Sequence, residues 1–432
     1  IAPGLTPLAG NAIVANGVAD NYIFNDRFEN LTSTPLQVIY EIRGRSADGC
    51  FGAVRNIILT VNPEPVINPS LDATVCSDQN SGIVLSTNGT SVGAASYALI
   101  SVTIAPGLTP AAGNALAGVS GVGTTYIAND RFTNITTGNL TVVYELQPLS
   151  PQGCLGDIVF ITLTVQPEPV LDPSLNPAPV CSGVPSGITL SVDPGSVAAA
   201  SYNITGINYP PGLQPGGGNA VIGNGLSANA IINDVFVNTT NSALNVVYTV
   251  VPVSAAGCLG DAQTVTLQIN PSPALALLDK TVCSEEDTQI VLANTAGSAA
   301  ADQFEITNIV VGAGLVPGAG FNAAPRTTAN INEIGADHFA NDTDNIINVV
   351  YSIVPISAAG CRGPERDIIL RVEPRPVVIA TPPAESICSD ATTAIELSST
   401  TTPSSGTITF NYTAAASSGL ITGFVPVLNN LP

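Results

Sequence analysis

The chain repeats itself about every 104 residues, and that period constrains its fold more than any other feature. Tyr40, Tyr144, Tyr248 and Tyr351 stand 104, 104 and 103 residues apart, and Cys50, Cys154, Cys258 and Cys361 keep the same steps. A second cysteine series, Cys76, Cys181, Cys283 and Cys388, advances by 105, 102 and 105. Each unit therefore owns two cysteines, and whatever one unit folds into, the next must fold into as well.

Within a unit the apolar residues alternate. In LTVVYELQPLS, Leu140, Val142, Tyr144 and Leu146 share one face, and INVVYSI repeats the pattern with Ile347, Val349, Tyr351 and Ile353. After a Gly-Cys turn, VFITLTV puts Val159, Ile161, Leu163 and Val165 on one face. Upstream, GIVLST and SYALISV read as two earlier strands and TTYIANDRF as a third. With 40 Gly and 34 Pro in 432 residues to make turns, about seven strands per unit predict an all-β fold, one immunoglobulin-like β-sandwich per repeat, arranged as a rod. Proline-rich stretches such as NPEPVINPSLD and QPEPVLDPSLNPAP read as stiff spacers between units.

Charge narrows the partners. Eleven Lys+Arg against 32 Asp+Glu give a net charge of −21, with Lys280 the single lysine, so there is no basic footprint for nucleic acid or anionic lipid. No apolar run approaches the roughly 18–20 residues needed to span a bilayer, so no membrane insertion is expected. Eight cysteines without a CxxC, beside one histidine, favour disulfides in an oxidising compartment over zinc, and hence a secreted, extracellular or cell-surface protein. The absence of methionine and of a leader reads as a processed or partial polypeptide.

Several spaced strings together resemble the PKD-like domains of Bacteroidota surface and secreted proteins: Val180–Ser182, Phe236–Thr240, Tyr248–Pro252, Gly257–Gly260 and Ile269–Pro273 carry the match. The chain departs from that family in placing Tyr97 and Tyr202 where a Trp is common. The resemblance implies immunoglobulin-like sandwiches in extracellular arrays, used as stalks, adhesins or filaments, and no catalysis.

The phase of the repeat is informative. IAPGLTPLAGNA at residues 1–12 matches IAPGLTPAAGNA at residues 104–115, deep inside a unit. Residues 1–61 thus supply the later half of a sandwich, residues 62–165, 166–270 and 271–372 are whole units, and residues 373–432 supply an earlier half. A half sandwich exposes the apolar face its other half should cover. One expectation is therefore a head-to-tail homopolymer, a surface filament in which residues 373–432 of one copy complete residues 1–61 of the next. The other is that the 432 residues are an excerpt of a longer chain, such as an adhesin stalk whose loops bind a glycan or a protein.

The expected disulfides lie within units, Cys76–Cys154, Cys181–Cys258 and Cys283–Cys361, with Cys50 and Cys388 left to meet across a subunit junction. The alternative joins one unit to the following one, as in Cys76–Cys258. Asn30, Asn134, Asn238 and Asn341 share one repeat position in Asn-x-Thr sequons, and Asn88, Asn139, Asn203 and Asn411 sit in further sequons. These are candidate glycosylation sites, although Asn and Thr are also ordinary turn formers. The acids from Asp337 to Asp344 and from Glu285 to Asp287 lack Ca²⁺-loop spacing and read as solvated loop acids. His338 is the one histidine, no paired carboxylates recur, and no Gly-rich loop precedes a helix, so neither catalysis nor a cofactor or metal site is expected.

Overall fold

The computed structural model describes residues 1–415 and 427–431, and every element in it is a strand or a turn. Residues 1–61 hold β1 (Leu5–Pro7), β2 (Phe28–Asn30), β3 (Leu36–Ile42) and β4 (Arg55–Val61). The first whole repeat adds β5 (Ala73–Cys76), β6 (Ser96–Ile104), β7 (Leu108–Pro110), β8 (Val119–Val122), β9 (Phe132–Asn134), β10 (Leu140–Leu149) and β11 (Val159–Gln166). Five of these form one sheet in the order β5-β11-β10-β6-β8, and β7 pairs with β9 apart from it. The next two repeats reproduce both sheets strand for strand.

Alternation explains the core. Along β10, Val142, Tyr144 and Leu146 are fully buried, and across the ladder Tyr144 stands opposite Ile161 of β11 and Val102 of β6. Each whole repeat has its own apolar cluster, running from Ile67 to Val165, from Leu171 to Ile269 and from Leu275 to Val372. Tyr97, Tyr202 and Phe304 fill the position where the resemblance anticipated Trp.

Three local expectations fail. GIVLST forms no regular strand: Ile83 and Leu85 are buried in alternation, but the segment contributes only an isolated bridge from Thr87 to Ile67. TTYIANDRF is a turn before β9, because Asp130 and the buried Ile127 wind it into successive turns instead of extending it. The proline stretches are not free spacers over their whole length, since Ile67, Leu171 and Leu275 belong to the cores of the repeats that follow. Burial of one apolar residue in each stretch docks it, which composition alone does not reveal.

A tyrosine–aspartate pair recurs fourteen residues apart, buried in the three whole repeats and half-buried in residues 1–61. The hydroxyls of Tyr40, Tyr144, Tyr248 and Tyr351 donate to Oδ2 of Asp26, Asp130, Asp234 and Asp337 at 2.9, 3.0, 2.8 and 2.9 Å. In three repeats Oδ1 also accepts a backbone N–H, from Ala12, Ala115 or Ala220, at 2.7 to 2.8 Å. Burial pushes the Tyr40 hydroxyl up to about 12 and raises Tyr144, Tyr248 and Tyr351 further, each beside its aspartate. Asp337, the first acid of the DHFANDTD run, is therefore a core acceptor and not a loop acid.

The two ends differ from the whole repeats. Among the described residues β3 and β4 pair only with each other, whereas β10 and β11 lie inside a sheet of five strands. Their apolar face is covered at Val38, 3% exposed, but open further along: Ile42, Ile57 and Leu59 are 40, 48 and 39% exposed, while Leu146, Ile161 and Leu163 at the same positions are 0, 2 and 0%. In residues 373–415, Ile379–Thr381 pairs with Glu396–Ser398. There Val378, Ile395 and Leu397 are 59, 40 and 45% exposed against 2, 3 and 1% for Ile67, Ile83 and Leu85.

Candidate functional site

The chemistry that recurs in this molecule sits at the junctions between repeats. Each begins where the last strand of one unit runs into proline. Glu168 donates its N–H to the Asn134 carbonyl at 2.9 Å, and Glu64 and Arg375 do the same to Asn30 and Asn341 at 3.0 and 2.9 Å.

The asparagine itself is the fastener. Asn134 Nδ2 donates to the carbonyls of Gly138 and Val165 at 3.0 and 2.8 Å, while its Oδ1 accepts from Thr136 N and Oγ1 at 3.1 and 2.7 Å. Asn30, Asn238 and Asn341 make the same four bonds. These four amides are buried with both N–H groups committed, so in the folded chain they are not glycan acceptors. Their Asn-x-Thr pattern comes from the Thr that caps the asparagine. Among the remaining sequons, Asn139 and Asn411 are exposed and Asn88 and Asn203 half-buried. Asn88 Oδ1 accepts from Ser91 N at 2.8 Å and Asn203 Oδ1 from Gly225 N at 2.9 Å.

Beside this fastener lies the first cysteine of the unit. β5 runs parallel to β11 with Cys76 opposite Gln166, so Cys76 sits at the trailing end, where the chain leaves the repeat. Ser77 holds it there, its Oγ accepting from Asn134 N at 2.8 Å. The second cysteine lies at the opposite end, in the turn before the last strand. Cys154 N donates to Ser150 Oγ at 3.0 Å, Gly153 N to Ser150 O at 3.0 Å, and Gly153 takes a positive φ of 81°.

Two disulfides join neighbouring repeats: Cys76–Cys258 and Cys181–Cys361, with Cα atoms 5.3 and 5.4 Å apart. The expected bridges within units do not form, and the alternative pairing does. An eight-residue strand such as β11 spans about 26 Å and separates the two cysteines of one unit, far beyond disulfide reach. Cys50, Cys154, Cys283 and Cys388 carry free thiols.

Close packing fixes the leading end of each unit. A Cβ on Gly260, two residues after Cys258, would lie 2.0 Å from the carbonyl oxygen of Pro169, and Gly156 and Gly363 stand likewise 2.0 and 1.9 Å from Pro65 and Pro273. Only glycine allows the loop of one unit to seat against the proline that precedes it. Glu168 is enclosed here; burial, with Asp78 and Asp261 nearby, pushes its carboxyl up to about 7 from 4.5, against a hydrogen bond from Ser77. A raised folded value means the contribution is full below pH 4.5 and lost as pH rises through about 7. We therefore expect thermal stability to rise between pH 8 and pH 5, and Glu168→Gln to flatten that dependence; an unchanged slope in the variant would remove Glu168 as its source.

The acidic runs are engaged elsewhere. Glu285 pairs with Arg375 at 2.6 Å, Asp287 with His338 at 3.3 Å, and Asp344 Oδ1 accepts from Thr400 Oγ1 at 2.7 Å. Among the described residues no cluster of three His, Cys, Asp or Glu could hold a metal ion, and no helix is long and apolar enough to cross a membrane.

Fold and junction define a class, a tandem array of seven-stranded sandwiches joined by disulfides that run from one repeat to the next. The chain belongs to the PKD-like domain family, whose model matches residues 8–65, 109–169, 180–273 and 280–376. No curated protein matches the sequence. Solved structures similar to it include Drosophila N-cadherin EC1-4, at 12% identity over 79% of this chain and 84% of that one with a TM-score of 0.23. Another is the Bacteroides ovatus mixed-linkage glucan utilization locus protein SGBP-B, at 14% identity over 74% of this chain and 72% of that one with a TM-score of 0.15. These are distant likenesses, and nothing about function follows from them.

Proposed function

We propose that the chain is the structural subunit of an extracellular filament, in which residues 373–432 of one copy complete the sandwich begun by residues 1–61 of the next. One observation carries the reading: each end segment leaves three apolar positions exposed that every whole repeat buries. Ile42, Ile57 and Leu59 at one end, and Val378, Ile395 and Leu397 at the other, correspond to residues that lie in a single cluster in the first whole repeat. Exposed hydrophobic faces with unpaired strand edges are what strand complementation covers. The contact is head to tail and does not close on itself, so it propagates. Disulfides between repeats support an oxidising, extracellular setting.

Electron microscopy of the purified 432-residue chain tests this. End-to-end fibres many repeats long are expected, and Leu397→Asp, which charges an already exposed position, should abolish them while the three whole repeats melt unchanged. Short single particles from the unaltered chain at high concentration would overturn the filament and favour a stalk segment completed by further repeats of its own polypeptide.

A further inference from the structure

Resting on the filament reading, we infer that the four free thiols are the two halves of two intersubunit staples, Cys283 with Cys50 of the next copy and Cys388 with Cys154 of that copy. The observed bonds follow one rule: the trailing-end cysteine of a repeat bonds the Gly-Cys turn of the repeat after it. Within these 432 residues, Cys283 and Cys388 are trailing-end cysteines whose following Gly-Cys turn is not included, and Cys50 and Cys154 are Gly-Cys cysteines whose preceding trailing end is not included; all four are free. If the two half sandwiches join, the order of repeats brings Cys283 to Cys50 and Cys388 to Cys154. The pairing of Cys50 with Cys388 anticipated from the sequence fails on the same geometry, because the two would occupy opposite ends of the one sandwich they build.

Both surfaces are already shaped for the bond. The Cys50 turn matches the bonded ones: Cys50 N donates to Ser46 Oγ at 3.1 Å, as Cys258 N and Cys361 N do to Ser254 and Ser357 Oγ at 3.1 Å. Across from it, Cys283 lines a cavity of about 300 Å³ with Glu373, Pro374, Pro376, Ser404 and Ile408. Pro376 stands in the repeat where Pro65, Pro169 and Pro273 receive the loop glycines, and among the described residues no glycine seats against it. The matching glycine, Gly52, has the complementary gap: a Cβ there would meet nothing nearer than Gly44 O at 3.7 Å. The cavity fits the Gly49–Gly52 turn of a second copy.

Each bond joins two thiol sulfurs and releases two protons and two electrons, which an external disulfide such as oxidised glutathione takes up as two thiols. The test assembles the full chain with oxidised and reduced glutathione, images it, and maps cross-linked peptides without reduction. The expected result is a ladder in steps of 43.7 kDa on non-reducing gels, with Cys283–Cys50 and Cys388–Cys154 peptides. Gly52→Val should lower the ladder at least tenfold while the unassembled chain melts as before, since its Cβ meets only an ordinary contact with Gly44 O until it faces Pro376. Fibres whose four thiols all remain alkylatable, or a Cys50–Cys388 peptide, overturn the staples and leave the filament standing. Absence of fibres overturns the filament, and the staples with it. Native material in which Cys283 is bonded to a peptide from outside these 432 residues overturns the second copy as partner.

Discussion

Replacing Cys76 and Cys258 together by serine is expected to lower the stability of the first two whole repeats by about 5 kcal/mol, the chain-entropy value for a closed loop of this size. The bond spans 182 residues, and its companion Cys181–Cys361 spans 180. The loops overlap, so the second repeat is braced at both ends, through Cys258 to its predecessor and through Cys181 to its successor. In the wild type the repeats should therefore unfold in denaturant as one coupled event. In the double serine variant an earlier transition should separate, reported by hydrogen exchange at core amides such as Val142 and Leu163. A coincident, unshifted transition would mean that the backbone bond from Glu168 to Asn134 and the packing around it couple the repeats without the disulfide.

The second large effect belongs to the asparagine fastener. Asn238→Ala removes two donors and one doubly used acceptor from a buried site, taking the side-chain donor from the Ile269 carbonyl and the acceptor from the N–H of Thr240, and leaving the Ser242 carbonyl only its bond from Thr240 Oγ1. A loss of about 3 kcal/mol in the second repeat is expected. Asn238→Asp should be worse, because a carboxylate cannot donate to either carbonyl. Urea titration of the full chain, read by amide exchange at Val265 and Leu267, checks the order of the two variants. If Asn238→Ala is neutral, the amide has no part in closing the repeat. Glycopeptide mapping is expected to find no glycan at Asn30, Asn134, Asn238 or Asn341.

A good deal of this was legible before the fold. The two-residue alternation through Val142, Tyr144 and Leu146 names the core face of β10, because a strand packed on one side must bury every second residue. The equal spacing of the tyrosines and cysteines requires each unit to repeat its neighbour's architecture. The Tyr–Asp pair was missed although its signal was present: Asp26, Asp130, Asp234 and Asp337 keep the tyrosines' period, fourteen residues upstream. The asparagine ladder was visible as a series of sequons. Only burial separates a turn-closing amide from a glycan acceptor, since both use the same Asn-x-Thr.

The amino-acid order by itself determined the repeat, the strands and the apolar face of each, because these depend on short-range periodicity. Which cysteines meet was decided by tertiary structure. The parallel pairing of β5 with β11 carries Cys76 to the trailing end of its sandwich, and the turn before β11 holds Cys154 at the leading end. A strand's length then keeps the partners within one repeat apart and brings those of adjacent repeats within bonding distance, a consequence of strand direction that no cysteine spacing encodes.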